Sequence, residues 1–438
     1  MRAKIEKLVY GGEGLAHEGG EAVFVPFVLP GEEVELTPQT RKKKFVRARV
    51  TRVLEASPDR VAARCPHFGV CGGCDYQHVS YEAQLRYKEQ ILRETLRRLG
   101  RIDWQNPISV HASPPWEYRN RAQWKIRPHS SEGAGSGARS SGNERSDIGY
   151  FRAGSSTLCA VHVCTILSPK LLATFEQFRM MLSEGKLPET LREVEAFADA
   201  EDQGILLNIS CTSLPRGAEA LAKMLSERIG GVKSILLQDA RGERMSLHGP
   251  GFLQYKVSRS SFRVGHLSFF QVNRFLVNEM ANVAAAAAGS GELAFDLYAG
   301  VGLFATTMAG NFARVEAVEA NPAAARDLET NAGLSGKTIK ARSDSAEAFL
   351  AEWKQKRGAT PDVVIVDPPR AGIEPTALDK LAAIAPARIL YVSCDPSTLA
   401  RDLANLCARA YTPQEIHLFD MFPQTYHIET IVRLERAR

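Results

Sequence analysis

Three residues capable of chemistry follow apolar runs in the C-terminal half of the chain. Cys394 follows residues 389–392 in "ARILYVSCDPSTLARDL", Asp367 ends "DVVIVD", and Glu319 belongs to "RVEAVEAN". Such runs predict buried strands, and ligands of open α/β sheets bind at the carboxyl ends of the strands. A free cysteine is more often a small buried hydrophobe. At a strand end, however, Cys394 is also a candidate reactive thiol.

The region that carries these residues alternates strand and helix patterns from about residue 266 onward. This alternation predicts a Rossmann-like, doubly wound parallel sheet. Residues 293–309 form a strand, a glycine turn and a helix, in which Gly300 and Gly302 allow close approach of a ligand. The same glycines formally satisfy a dinucleotide fingerprint, so an NAD-dependent oxidoreductase is the rival enzyme. Asp296 within the strand and the Asp367 strand end favour S-adenosylmethionine instead.

A second group of candidate residues is a cysteine cluster in the N-terminal half. Cys65, Cys71 and Cys74 lie within ten residues, and the whole chain holds eight cysteines. These are too few and too unevenly spaced for a disulfide scaffold, so metal binding or catalysis is expected. Thiolates suit zinc, which His67 and His78 could also bind. Three close cysteines and one remote cysteine equally fit an iron–sulfur cluster.

The strand and helix patterns that hold these candidate residues divide the sequence into three predicted domains. Residues 1–55 alternate short apolar runs with Gly-rich turns, which predicts an OB-like β-barrel. Residues 56–265 form an α+β central domain, and residues 266–438 form the Rossmann-like domain. A helix is expected from about residue 81 to residue 99. The Gly/Ser-rich residues 129–147 predict a flexible loop.

Charge patterning indicates a nucleic-acid surface. The formal net charge is only +5, but "RKKKFVRARVTR" (41–52) contains no acid. "YRNRAQWKIRP" (118–128) interleaves cations with Tyr118 and Trp124. Phosphates attract cations and unstacked bases stack on aromatic rings. The sequence shows no apolar run of membrane-spanning length and no secretory signal, so a cytoplasmic protein without membrane association is expected.

Taken together, several motifs resemble those of the RNA uracil-5-methyltransferases. They cover nearly the whole chain in the family's order: "CPHFGVCGGCDYQHVSYEAQLRYK", "SFFQVN", "DLYAGVG", "DPPRAG", "SCDP" and "HIE". The N-terminal barrel resembles the TRAM domain of the iron–sulfur branch. The resemblance implies an enzyme that methylates C5 of uridine in RNA with S-adenosylmethionine.

Residue roles follow from this resemblance. Cys394 is the implied nucleophile and Glu429 the implied base, with His427 as the alternative base. The resemblance implies that Gln271, Tyr298, Glu319 and Asp367 bind the methyl donor. It also implies a 4Fe–4S cluster held by Cys65, Cys71, Cys74 and Cys164, with Cys159 competing for the fourth place. Phe269 is a candidate stacking face for a flipped base, or equally a core aromatic.

The expected substrate is 23S rRNA, with tRNA as the alternative. A monomer without an obligate protein partner is expected. Two rivals remain: the oxidoreductase, and an RNA-binding module without activity. Intact Cys394, Glu429 and Asp367 favour an enzyme over the latter.

Overall fold

Residues 1–127 and 147–437 are described in a computed structural model of the chain. They form two compact units. The first combines Met1–Arg64, Cys74–Pro115 and Phe275–Arg438, and the second combines Cys65–Gly73 with Trp116–Arg274. The predicted flexible loop, residues 129–147, lies outside the described residues except for Asp147. None of the helices in the described ranges has the length and apolar character needed to cross a bilayer.

The first unit begins with a sheet that has its own apolar core. Val23, Val25 and Ala48 are fully buried in it. Successive side chains of a strand point to opposite faces, so every second residue faces the core. The strand order is β1-β5-β6-β4-β3-β2. The strands are β1 (Arg2–Lys4), β2 (Lys7–Leu8), β3 (Glu13–Glu18), β4 (Glu21–Pro26), β5 (Glu33–Lys42) and β6 (Phe45–Glu55).

Helix α1 (Tyr81–Gly100) and strand β7 (Ser109–His111) follow. The buried face of α1 carries Ile91, Leu92 and Leu96 at helical spacing, but also the polar side chains Gln84 and Lys88. Although residues 56–265 were predicted to form one central domain, α1 groups with the N-terminal and C-terminal segments.

The second unit contains a mixed sheet covered by two helices, α2 (Pro169–Ser183) and α3 (Ala218–Arg228). Its strand order is β10-β9-β8-β11-β12-β13-β14, and β15 pairs with β16 in a separate hairpin. The strands are β8 (Arg121–Arg127), β9 (Asp147–Phe151), β10 (Leu158–Ala160), β11 (Leu191–Ala198), β12 (Ile205–Cys211), β13 (Val232–Asp239), β14 (Arg244–His248), β15 (Phe252–Val257) and β16 (Ser260–Gly265).

The C-terminal part of the first unit is an α/β sheet with the order β19-β18-β17-β20-β21-β23-β22-β7. Its strands are β17 (Gly291–Leu297), β18 (Phe312–Glu319), β19 (Ile339–Ser343), β20 (Val363–Val366), β21 (Arg388–Ser393), β22 (Tyr411–Phe419) and β23 (Glu429–Arg436). Its helices are α4 (Val277–Ala288), α5 (Leu303–Met308), α6 (Pro322–Leu334), α7 (Ala346–Gln355), α8 (Pro375–Ile384) and α9 (Pro396–Cys407).

Parallel pairing holds from β19 to β21, as the sequence predicted for a doubly wound sheet. The C-terminal end departs from it, because β23 is antiparallel to both neighbours and inserts between β21 and β22. This insertion brings the last strand of the chain beside the strand that precedes Cys394.

Candidate active site

The pairing of β21 with β23 defines the centre of the site. Their register places Ser393 opposite Thr430. The next positions along the two strands are therefore Cys394 and Glu429, which lie across from each other. Glu429 is buried, and Cys394 is half-buried. The two residues implied as nucleophile and base, remote in sequence, thus share one strand end.

The charges around Cys394 are mostly negative. Burial raises the pKa of the Cys394 thiol to about 12, and the carboxylates of Glu429 and Asp367 add to the rise, while Arg370 opposes it. Burial and then Asp367 also raise the pKa of Glu429 well above its usual range. With its pKa raised this far, the Cys394 thiol holds its proton at neutral pH.

A helix N-terminus beside a cysteine can favour the ionised thiol, but the start of α9 does not act on Cys394 in this way. Asp395 caps helix α9 itself, since its Oδ1 accepts hydrogen bonds from the N–H groups of Ser397 (2.8 Å) and Thr398 (3.0 Å). The partial positive charge of the helix end therefore stabilises the Asp395 carboxylate and not a Cys394 thiolate.

Tyr10, from the turn between β2 and β3, also reaches this centre. Its hydroxyl donates to the carbonyl oxygen of Cys394 at 3.4 Å, and its ring meets Tyr426 edge-on at 5.4 Å. Sequence reasoning did not identify Tyr10, because nothing in its local pattern distinguishes it from other tyrosines of the chain.

A glycine turn forms the second half of the site, at the end of β17. Tyr298 (φ 62°) and Gly300 (φ 56°) both adopt left-handed backbone conformations, which cost energy for tyrosine but not for glycine. The N–H of Gly300 donates to Oε2 of Glu319 at 2.8 Å. A Cβ added at Gly300 would meet no atom within 4 Å. The turn therefore leaves space for a ligand beside Glu319.

Three carboxylates line this turn and the neighbouring strand ends. Asp296 is fully buried, and its Oδ2 accepts from the N–H of Ala305 at 2.7 Å. Burial raises the pKa of Asp296 to about 8, opposed by the Ala305 N–H and reinforced by Asp367 and Glu319. Burial and then Glu319 raise the pKa of Asp367 to about 7.

This charge pattern bears on the choice of ligand. A dinucleotide pyrophosphate needs free N–H groups at the helix start, but Asp296 takes one of them, and two more carboxylates lie nearby. The carboxylate of Glu319 and the ionised form of Asp367 repel an anion and attract a cation. The sulfonium and ammonium groups of S-adenosylmethionine fit this site better than NAD does.

Comparisons with known proteins agree with this arrangement. A family model described as tRNA (uracil-5-)-methyltransferase matches residues 80–437. A model of the TRAM domain of tRNA (uracil(54)-C(5))-methyltransferase matches residues 1–58. The chain belongs to the tRNA (uracil-5-)-methyltransferase family. It is an RNA (uracil-5-)-methyltransferase that uses S-adenosylmethionine. The family predicted from the sequence motifs is therefore confirmed.

Relatives named as RNA methyltransferases match nearly the full length of the chain. An RNA methyltransferase of Aquifex aeolicus is 33% identical, with 99% of this chain and 98% of that protein covered. One of Halalkalibacterium halodurans is 32% identical, with 99% and 96% covered. The crystal structure of Pyrococcus abyssi tRNA (uracil-54, C5)-methyltransferase with S-adenosyl-L-homocysteine has a TM-score of 0.75. At 24% identity and 99% and 100% coverage, it shows that the fold is shared.

Other predicted site residues of this methyltransferase lie in the second unit. Gln271 is buried there, whereas Glu319, Tyr298 and Asp367 belong to the first unit. Phe269 is 62% exposed, so it is not a core aromatic residue. Its neighbour Phe270 packs in the core instead, against Tyr255.

The basic–aromatic segment 118–128 does not match its predicted role. Tyr118 and Trp124 are completely buried, so they cannot stack on bases. Arg121 and Lys125 pair with Glu195 and Glu193 on the adjacent strand β11. The two aromatics face inward, and Arg121 and Lys125 face carboxylates, so residues 121–127 mainly form a core strand.

The cysteine cluster is only partly assembled. Cys65, Cys71, Cys159 and Cys164 all belong to the second unit, and the other three thiols contribute to raising the pKa of Cys71 to about 12, mainly set by burial. The hydroxyl of Tyr150 contacts Sγ of Cys164 at 3.8 Å. Cys74 falls in the first unit.

The donor chemistry of this cluster suits a metal, but its present arrangement does not form a complete site. In residues 1–127 and 147–437, no three metal-binding side chains converge closely enough to hold an ion. The two histidines considered as zinc ligands belong to different units. His67 contacts His162 in the second unit, and His78 packs against Phe27 in the first.

Proposed function

We propose that the enzyme methylates C5 of one specific uridine through a covalent adduct between Cys394 and C6 of the base. The observation that carries this proposal is the placement of Cys394 opposite Glu429 at the ends of β21 and β23. A nucleophile that must add to C6 and a base that must reach the proton on C5 have to lie close together, because C5 and C6 are adjacent ring atoms.

The first step is the addition of Cys394. C5 of uracil is too weak a nucleophile to attack a methyl group. When the Cys394 sulfur adds to C6, its proton leaves to water and the ring becomes an enolate with negative charge on C5. C5 then takes the electrophilic methyl group that S-adenosylmethionine supplies. Covalent catalysis thus replaces one difficult step by easier ones.

Glu429 completes the reaction. Its ionised carboxylate removes the C5 proton, the C5–C6 double bond re-forms, and Cys394 leaves as a thiolate. Since burial raises the pKa of Glu429, the ionised form is a stronger base than an exposed glutamate would be. His427 is the weaker candidate, because its ring lies against the guanidinium of Arg370, 3.3 Å from Nη2 to Nδ1.

We propose that Tyr298, Glu319 and Asp367 bind the methyl donor, together with Gln271, as the family resemblance implies. Glu319 accepts hydrogen bonds from the N–H groups of Gly300 (2.8 Å) and Asn321 (2.7 Å). These bonds orient its carboxylate, whose remaining lone pairs can accept from two ribose hydroxyls. The negative charge of Asp367 complements the cationic part of the donor.

The test of this mechanism compares what two variants accumulate. Cys394→Ala should bind RNA and donor but trap no covalent complex. Glu429→Gln should add and methylate, then stall, so that a protein–RNA adduct carrying the methyl group survives denaturing electrophoresis. Wild-type enzyme on 5-fluorouridine RNA should stall similarly. The loss of the base should cost about 10²–10⁴-fold in turnover.

Cys407→Ala, which changes the cysteine at the end of α9, is the control and should turn over normally. Wild-type turnover by Cys394→Ala would disprove the nucleophile. Wild-type turnover by Glu429→Gln would transfer the role of base to His427 or water.

We also propose a 4Fe–4S cluster held by Cys65, Cys71, Cys74 and either Cys164 or Cys159. The proximity of the thiols in the second unit supports it. Anaerobically purified protein should be brown and contain iron and sulfide, and Cys71→Ser should bleach it. Stoichiometric zinc without sulfide would disprove the cluster. Cys211→Ser is the control, since Cys211 is buried on β12.

The proposed target is a uridine of 23S rRNA, by resemblance to the iron–sulfur branch. tRNA is the second candidate, because the matching TRAM model describes a tRNA (uracil(54)-C(5))-methyltransferase. Mapping 5-methyluridine in both RNAs of a deletion strain separates the two. The site should disappear from rRNA and remain in tRNA; the reverse would establish tRNA as substrate.

A further inference from the structure

We infer that Gln84 and Lys88, one turn apart on α1, are positioning residues for Glu429. They act through the base loop, residues 420–428, which connects β22 to β23. This inference rests on the proposed role of Glu429 as the base. Neither side chain belongs to the reacting centre itself.

The base loop ends directly at Glu429. The register of β22 and β23 pairs Phe419 with Glu429, so Glu429 is the first residue after the loop and the last pair of the hairpin. A shift of the loop therefore reaches Glu429 before any other residue of β23. Contacts that hold the loop therefore help to fix the backbone from which the Glu429 side chain projects.

Lys88 holds the beginning of the loop. Its Nζ lies 2.6 Å from Oδ1 of Asp420 and donates to the carbonyl oxygen of Phe422 at 3.1 Å. The side chains of Lys88 and Asp420 are both fully buried. A buried ion pair often adds little to stability, because desolvation offsets the attraction, but it fixes a single geometry well. We assign that geometric role to this pair.

Gln84 holds the middle of the loop. Its amide donates to Oε1 of Gln424 (3.1 Å) and accepts from the N–H of Gln424 (2.9 Å). The carbonyl oxygen of Gln424 accepts from the N–H groups of Asp75 and Tyr76, each at 2.9 Å. Gln84 is also completely buried, so these bonds meet no competition from solvent.

The backbone of Gln424 shows that the loop is held under strain. Its φ is +68°, a left-handed conformation that non-glycine residues rarely adopt. Such a conformation persists where surrounding contacts over-determine it, which is common near functional sites. The contacts from α1 and from residues 75–76 supply that constraint.

This role also explains why the motif that contains the cysteine cluster continues into α1 with polar residues. In "CPHFGVCGGCDYQHVSYEAQLRYK" the cysteines are assigned to a cluster, but Gln84 and Lys88 had no function. Both lie on the buried face of α1, where the helical pattern alone would place apolar side chains.

The decisive experiment uses Gln84→Met, which keeps the approximate volume and removes the amide contacts. RNA from a strain lacking this gene is incubated with methyl-labelled S-adenosylmethionine, and the labelled adduct is followed on denaturing gels. Because the base acts only after methyl transfer, the adduct should form normally and break down about 10²-fold more slowly. RNA and donor affinities should not change. Gln90→Met, at an exposed position of the same helix, should behave as wild type.

Several outcomes decide the inference. Wild-type breakdown in Gln84→Met overturns it, and so does a parallel loss of RNA binding, methyl transfer and breakdown, which would indicate a merely structural role. If Gln84→Met does not fold, Gln424→Gly, which removes the Oε1 acceptor of the Gln84 amide and relaxes the backbone strain, is judged by the same two criteria. Glu429→Gln run in parallel isolates the premise: if it accumulates no adduct, the proposed function itself fails.

Discussion

Cys394 stands among carboxylates, and this determines how the reaction begins. Burial, Glu429 and Asp367 raise the pKa of its thiol, so the resting enzyme holds a protonated and weakly reactive cysteine. A thiol of this kind is protected from unwanted oxidation and alkylation. We infer that ionisation accompanies the arrival of the substrates, because a bound cationic donor would offset the negative charge.

At the residue scale we predict the pH dependence of Cys394 alkylation. With the pKa of the thiol raised to about 12, iodoacetamide should react slowly at pH 7. The rate should rise about tenfold per pH unit up to pH 9, because only the thiolate reacts. Mass spectrometry of the Cys394 peptide measures the rate.

Two variants provide the control for this prediction. Glu429→Gln removes a charge that raises the pKa of Cys394, so alkylation should accelerate. Arg370→Ala removes a charge that lowers this pKa, so alkylation should slow down. A rate that reaches a plateau below pH 8 would contradict the raised pKa.

At the element scale, the turn after β17 converts a strand into a binding surface. A side chain at Gly302 would be strained, because its φ of 92° is left-handed and a Cβ would lie 2.7 Å from Cδ1 of Leu328, which would have to move. Gly300 faces open space instead. The two glycines thus serve different purposes: Gly302 permits packing against α6, and Gly300 leaves room for the donor.

We predict that Gly300→Ala weakens binding of S-adenosylhomocysteine by about tenfold, since a methyl group would occupy donor space on a backbone that suits glycine. Isothermal titration calorimetry measures the affinity. Gly336→Ala is the matched control, because Gly336 has a similar φ of 63° and open surroundings after α6. Equal affinity of Gly300→Ala and wild type would exclude donor contact at this turn.

At the scale of the whole molecule, RNA affinity depends on how cations are distributed. Many cations of the chain pair with carboxylates, as Arg47 does with Glu13. Lys42, Lys43 and Lys44, at the hairpin end between β5 and β6, are exposed. These three lysines are therefore candidates for phosphate binding within the basic run 41–52.

Replacing Lys42, Lys43 and Lys44 by Ala should weaken RNA binding and reduce its salt dependence. The log–log slope should fall by up to roughly one unit for each phosphate that the protein no longer neutralises. Filter binding at several salt concentrations measures the slope. Lys354→Ala with Lys356→Ala, at exposed positions of α7 and after it, is the control. An unchanged slope would show that the hairpin does not touch RNA.

The sequence by itself determined the local elements and the residues that end them. The alternation of strand and helix patterns after residue 266 corresponds to the observed order from β17 to β21, with Glu319 and Asp367 at strand ends. The sequence could predict these elements because side-chain periodicity within an element depends only on residues a few positions away. The quoted motifs likewise identified the family.

Only the tertiary structure decided which distant residues meet. The insertion of β23 beside β21 places Glu429 across from Cys394, and α1 holds the base loop through Gln84 and Lys88. The protonated state of Cys394 was also unpredictable, because a pKa depends on burial and on charges from remote segments. Local patterns carry no information about these long-range contacts, since strand pairing and burial are properties of the folded chain as a whole.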